Sequence, residues 1–178
     1  MPVKARAGEP VSTLSLNISN LSEGVHQRTL EASPGEVGLD GRFSGPTVVS
    51  ATLEKTSRQL FLTVEFTTEA VFTCDRCLEE FRKELGGKYQ LVYVADERAQ
   101  AGIEDDEVQL LSPDANTIDL TEDVRQFILL ALPQKTLCRE DCAGICPVCG
   151  VNQNQTPCDC EVGETDPRWE GLKKLLGD

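Results

Sequence analysis

Between residues 137 and 160 the stretch LCREDCAGICPVCGVNQNQTPCDC carries six cysteines, in pairs spaced C-x3-C, C-x2-C and C-x-C. A fourth pair, Cys74 and Cys77 in TCDRCLEEF, raises the total to eight and leaves no cysteine outside a pair. In a reducing cytosol thiols do not persist as structural disulfides, so close pairs point to metal ligation or redox chemistry. A C-x2-C turn aims two sulfurs at one ion, and Zn2+ takes four thiolates in a tetrahedron. Eight thiolates therefore predict two structural Zn2+ ions. The pairs 146/149 and 158/160 flank the eight-residue loop GVNQNQTP and can close a compact site of Cys146, Cys149, Cys158 and Cys160. That leaves Cys74, Cys77, Cys138 and Cys142 for a site spanning some sixty residues of sequence. The rival partition joins 138/142 to 146/149 and 74/77 to 158/160.

Other chemistries use the same residues. An iron-sulfur cluster takes the same thiolates, but CPVCGVN has the form of a zinc knuckle, with Gly150 free to take a positive φ. A redox C-x-x-C normally opens a helix, whose dipole lowers the thiolate pKa; Cys74 instead follows a strand-like run. A catalytic zinc keeps an open coordination position, and pairing all eight cysteines leaves none. The single histidine, His26, stands among polar residues and is expected to be exposed. Asp105 and Asp106 belong to a charge run and are expected to be solvated. No G-x4-G-K-[ST] phosphate loop is present, so neither an enzyme nor a small-molecule substrate is indicated.

A chain of 178 residues buries roughly 70% of its unfolded surface and does not depend on metal for its whole fold. The N-terminal MPVKARAGEPVSTLSL holds no apolar run of signal-peptide length, and no stretch approaches the ~20 apolar residues that span a bilayer. The expectation is a soluble cytoplasmic protein without a membrane partner. The net charge of −13 is uneven: residues 1–94 carry 10 Lys and Arg against 12 Asp and Glu, and residues 95–178 carry 7 against 18. Nucleic-acid affinity comes largely from cations on phosphates, so an acidic surface favours a basic protein partner over RNA.

Period-two alternation marks strands over TLSLNIS (13–19), TVVSATLEK (47–55) and QLFLTVEF (59–66), with a hairpin at TSR (56–58). EAVFT (69–73) and KYQLVYV (88–94) supply further strands, and SPGEVGLDG (33–41) reads as a loop. DLTEDVRQFILLAL (119–132) reads as the strongest helix, with Asp119 as N-cap and Pro133 as the stop. A docking helix is expected over DPRWEGLKKLLGD (166–178). The organisation predicted is α+β in one domain: an antiparallel, partly barrel-like β-rich region over 1–94, an acidic solvated loop over 95–107, and over 108–178 a helix, the cysteine-rich zinc-binding segment and a C-terminal helix packed on the sheet.

CDRCLEEF, ALPQKTLCREDCAGICPVCGVNQNQTPCDC and DPRWEGLKKL, in that order behind a strand-rich half, resemble the bacterial YceD family, the large ribosomal RNA subunit accumulation proteins. The specific part of the resemblance lies in residues 72–177. It implies a cytoplasmic, non-enzymatic factor for accumulation of large-subunit (23S) rRNA, often encoded beside a small ribosomal protein. Some members lack most of the C-terminal cysteines and keep the first pair. The resemblance thereby favours the partition in which Cys74 and Cys77 meet Cys138 and Cys142. Partners implied are a basic ribosomal protein or a pre-ribosomal particle. Arg76, Arg82, Lys83 and Lys88 gather near the first pair as candidate RNA contacts, interleaved with Glu79, Glu80 and Glu84. A direct RNA-binding module and a thiol-redox protein are the alternatives.

Overall fold

Alternation along the chain becomes a sheet because each strand buries one face. β3 (Thr47–Lys55) and β4 (Gln59–Thr73) pair antiparallel, with Ala51 opposite Val64 and Leu53 opposite Leu62. The even-numbered side chains of β4 from Leu60 to Phe72 are buried, and Cys74 continues the same phase. Thr56 closes the hairpin: its N–H and hydroxyl both donate to the Gln59 carbonyl at 2.9 Å.

The structure, a computed structural model, describes residues 13–57, 59–94, 108–112, 114–161 and 168. The acidic segment 95–107, Asp105 and Asp106 with it, and the expected helix over 166–178, apart from Arg168, lie outside these residues. The chain divides into two compact units: Met1–Phe72 with Arg82–Gln134, and Thr73–Phe81 with Lys135–Asp178.

The first unit is built on a five-stranded sheet of order β2-β3-β4-β5-β6, with β2 Gly24–Ala32, β5 Glu80–Val94 and β6 Val108–Leu110. β2 pairs antiparallel with β3, and the contacts Lys88–Glu65 and Gln90–Thr63 run in opposite senses along β5 and β4. β6 runs parallel to β5. The α+β class read from the sequence holds, and the barrel is no more than partial, because the sheet is open with β2 and β6 at its edges.

Several elements differ from the alternation alone. β1 is only Ser15–Asn17 and pairs with β7 (Thr117–Asp119) in a separate two-stranded ribbon, although Leu14, Leu16 and Ile18 are buried as their spacing predicts. β2 has no alternating apolar face: it is an outer strand, with Val25 63% exposed, held by backbone pairing. His26 lies in it, half-buried rather than exposed, its Nε2 2.9 Å from the Ser22 carbonyl. The stretch read as a loop over 33–41 contains a single helical turn, α1 (Pro34–Val37), held by Glu36, whose carboxylate accepts the Ser33 N–H and hydroxyl and the Thr13 hydroxyl.

The main helix, α2, is Thr121–Leu130 and buries Val124 and Ile128. Asp119 ends β7 one residue before the cap position; its Oδ1 accepts the Thr121 N–H at 2.9 Å and so turns the chain into the helix. Phe127 stacks flat on Tyr89 of β5 with ring centroids 4.3 Å apart. Among the described residues no helix is long and apolar enough to cross a membrane.

Candidate metal centres

The second unit is made of the tip of the β4–β5 hairpin and the cysteine-rich segment. The two C-x2-C turns in it have the same backbone. After CDRC the Leu78 N–H donates to the Cys74 carbonyl at 3.0 Å and the Cys74 N–H to the Glu79 carbonyl at 2.9 Å. After CPVC the Gly150 N–H donates to the Cys146 carbonyl at 2.9 Å and the Cys146 N–H to the Val151 carbonyl at 2.8 Å. Both turns need a left-handed residue behind the second cysteine. Gly150 supplies it at φ 75° without strain, whereas Leu78 adopts it at φ 62°, which is costly for a residue with a Cβ.

Residues 136–145 are tied onto the first turn. Asp75 and Thr136 exchange bonds, N–H to carbonyl at 2.8 Å and N–H to carboxylate at 2.6 Å, and the Thr136 hydroxyl reaches the Thr73 carbonyl. Arg76 donates to the carbonyls of Glu140 and Cys142 and accepts the Ile145 N–H at 3.0 Å. The consequence is a four-sulfur cluster of Cys74, Cys77, Cys138 and Cys142, with Cys74 Sγ 3.8 Å from Cys142 Sγ and Cys77 Sγ 3.7 Å from Cys138 Sγ. Cys74, Cys77 and Cys142 are buried and packed by Phe81 and Leu137. A second cluster gathers Cys146, Cys149, Cys158 and Cys160; Cys146 is buried and Cys149 exposed. In each cluster all sulfurs lie within 4.8 Å of one another. The rival arrangement of the pairs is not the one the structure contains.

These separations suit a metal. Four thiolates about 2.3 Å from a tetrahedral ion lie about 3.8 Å from each other, which matches the separations of 3.8 and 3.7 Å in the first cluster. A multi-iron cluster divides its four cysteines among two or four irons and so spreads the sulfurs further. Electrostatics agree. Burial opposes ionisation of Cys74, yet the N–H groups of Cys138, Cys77 and Arg76 outweigh it and bring the thiol down to about 6. Cys138 is pushed up to about 12 by burial and by its three sulfur neighbours. In the second cluster the N–H groups of Cys149 and Val148 hold Cys146 at about 6, while Cys149 and then burial push Cys160 to about 12. Each cluster sets thiols that ionise readily, Cys74 and Cys142 in the first and Cys146 in the second, beside others that resist ionisation, the situation a divalent cation relieves. Both clusters are positioned to hold a metal ion.

Three of the four candidate RNA contacts have partners within their own unit. Arg76 is spent on backbone carbonyls of its own unit. Arg82 pairs with Glu69 at 3.2 Å and Lys88 with Glu65 at 2.9 Å, and Lys83 is exposed on β5. Sequence reasoning missed Glu79, Asn152, Asn154 and Gln155. The Glu79 carboxylate accepts the side-chain amides of Asn152 and Gln155, and Asn154 contacts Cys142, so the polar run NQNQ is more than a turn.

A family model described as Large ribosomal RNA subunit accumulation protein YceD matches residues 62–176. An uncharacterised protein of Mycobacterium tuberculosis is 32% identical over 130 residues, 70% of this chain and 59% of that protein. The protein YlbN of Bacillus subtilis is 28% identical over 144 residues, 79% of this chain and 80% of its own length. A chloroplastic protein of Arabidopsis thaliana, named Large ribosomal RNA subunit accumulation protein YCED homolog 1, is 32% identical over 63 residues, 35% of this chain and 20% of that one. The matching region thus covers 59% of the length of the mycobacterial relative. No solved structure matches. The family match takes in all eight cysteines and well over half of the chain, and on that ground the chain belongs to the YceD family of large ribosomal RNA subunit accumulation proteins.

Proposed function

We propose that the protein is a zinc-stabilised, non-enzymatic factor in large ribosomal subunit biogenesis, needed for accumulation or processing of 23S rRNA in the cytoplasm. It acts through a basic ribosomal protein or a pre-ribosomal particle. Family membership supports the rRNA role. Four thiolates per cluster support structural zinc, because they fill a tetrahedral ion and leave no position for water or substrate. The first ion cross-links segments some sixty residues apart, the second closes a local loop, and together they keep the cysteine-rich unit in one shape.

The observation that carries the choice of partner is charge. The net charge is −13, and two of the four candidate RNA-contact cations, Arg82 and Lys88, face carboxylates on the neighbouring strand. Exposed pairs break at little cost, so pairing alone does not forbid RNA. What disfavours it is the excess of acidic residues, 30 Asp and Glu against 17 Lys and Arg, since affinity for phosphates comes from cations. Isolation of the native complex, with identification of its proteins and RNA, tests the reading. Recovery of a basic ribosomal protein or a large-subunit precursor, with weak affinity of the purified protein for generic RNA at physiological salt, supports it. Tight, sequence-independent RNA binding that weakens steeply with salt overturns it in favour of a direct RNA-binding module.

A further inference from the structure

Asn154 lies in the loop between Cys149 and Cys158, yet its side chain serves the other cluster. Its Nδ2 donates to Cys142 Sγ at 3.3 Å. The orientation of the amide follows from its partners. Oδ1 accepts the Arg139 guanidinium at 2.6 Å and the Ala143 N–H at 2.8 Å, and both of these are donors, so the N–H2 must face the sulfur and Asn152 Oδ1. Asn152 in turn accepts the Asn154 N–H at 3.0 Å, and it and Gln155 are anchored on Glu79, two residues beyond Cys77. The loop closing the exposed cluster is therefore also an outer layer of the buried one.

We propose that Asn154 is a positioning residue for the buried cluster, donating a hydrogen bond to the metal-bound thiolate of Cys142, and that emptying the exposed cluster loosens the metal held by the buried one. This rests on the metal reading above. An N–H directed at a thiolate disperses its charge and disfavours its protonation, the step by which a thiolate leaves a metal. Removing such outer partners weakens metal sites by about 10–100-fold. The exposed Cys149 and half-buried Cys158 and Cys160 make that cluster the first to meet a chelator. Once Cys158 and Cys160 let go, one end of the loop carrying Asn154 is untethered. Coupling of this kind is reciprocal.

The test uses full-length protein loaded with 113Cd2+ for spectroscopy and with Zn2+ for release into a chromophoric chelator. Asn154→Asp keeps the acceptor for Arg139 and Ala143 but turns the donor facing Cys142 Sγ and Asn152 Oδ1 into an anionic oxygen, so Asn154→Ala, which removes the donor without adding charge, is measured beside it and should speed release as well. The expected results are a shift of one 113Cd resonance only, that of the cluster containing Cys142, and about tenfold faster Zn2+ release from it. Cys158→Ala should speed release from the buried cluster to a similar extent, and adding Asn154→Asp to it should change little, since both act through one contact. Unchanged release in Asn154→Asp, movement of the other resonance alone, or strictly additive effects in the double variant would overturn the proposal while leaving two bound metals intact. Protein that takes up no Cd2+ or Zn2+ would overturn the metal reading itself.

Discussion

Gly144→Ala is expected to loosen the cysteine-rich unit more than Gly150→Ala, although both glycines have a left-handed backbone, at φ 80° and 75°. An alanine in that region costs about 1–2 kcal/mol. About 0.4–1 kcal/mol of this is recovered because alanine restricts the unfolded chain. At Gly150 nothing lies within 4 Å of the added Cβ, so the net loss should be about 1 kcal/mol. At Gly144 the Cβ falls 3.1 Å from the Arg76 carbonyl oxygen and 3.4 Å from Arg76 Cβ. That carbonyl cannot retreat freely, because it accepts the Ile145 N–H at 3.0 Å and Arg76 is also tied to Glu140 and Cys142. Relief means stretching a hydrogen bond worth about 1 kcal/mol, giving a total near 2 kcal/mol. Amide hydrogen exchange at Ile145 and Cys146 in metal-loaded protein measures the local opening directly. Each kcal/mol should appear as about a fivefold faster exchange. Equal effects from the two substitutions, or a larger one from Gly150→Ala, would falsify the close-approach argument.

Cys74→Ser should lower thermal stability and abolish rRNA accumulation more severely than Cys158→Ser, because its cluster is mostly buried and joins residues 74–77 to 138–142; melting curves and complementation of a deletion strain decide it, and equal damage would count against the ranking. Metal analysis of the purified protein should find about two zinc ions, with the cysteines unreactive until chelator is added; iron, or freely titrating thiols in metal-replete protein, would contradict zinc. Bonds from Ser33 and Thr13 lower the Glu36 carboxyl from its ordinary 4.5 to about 2, so its contribution to stability is complete above the ordinary value and is lost as the pH falls through about 2. Glu36→Gln should therefore flatten the stability curve in that window, as read by denaturant titration at several pH values. Tyr89 buries a hydroxyl with no hydrogen-bond partner among the described residues while its ring stacks on Phe127, so Tyr89→Phe should leave stability unchanged or raise it by about 1 kcal/mol in urea titration. A loss of more than that would reveal a partner for the hydroxyl.

By itself the sequence determined what depends on local pattern. Alternation over 59–66 sets strand phase and the inward face, since a strand has only two sides, and it placed Leu60, Leu62, Val64 and Phe66 in the core. Apolar spacing set α2, and the pairing of all eight cysteines marked the metal chemistry, because thiols two residues apart in a tight turn can scarcely avoid one another. What local pattern does not carry, only tertiary structure decided. β2 has no apolar face to read and exists because β3 offers it a ladder of backbone partners. Which cysteine pairs meet is a long-range matter: Asp75, Arg76 and Thr136 zip segments some sixty residues apart and deliver Cys138 and Cys142 to the first turn. In the sequence Asn154 is one polar residue among several in the loop GVNQNQTP. Its role came from the fold, which closes the loop of one cluster over a sulfur of the other and leaves that amide where a thiolate needs a donor.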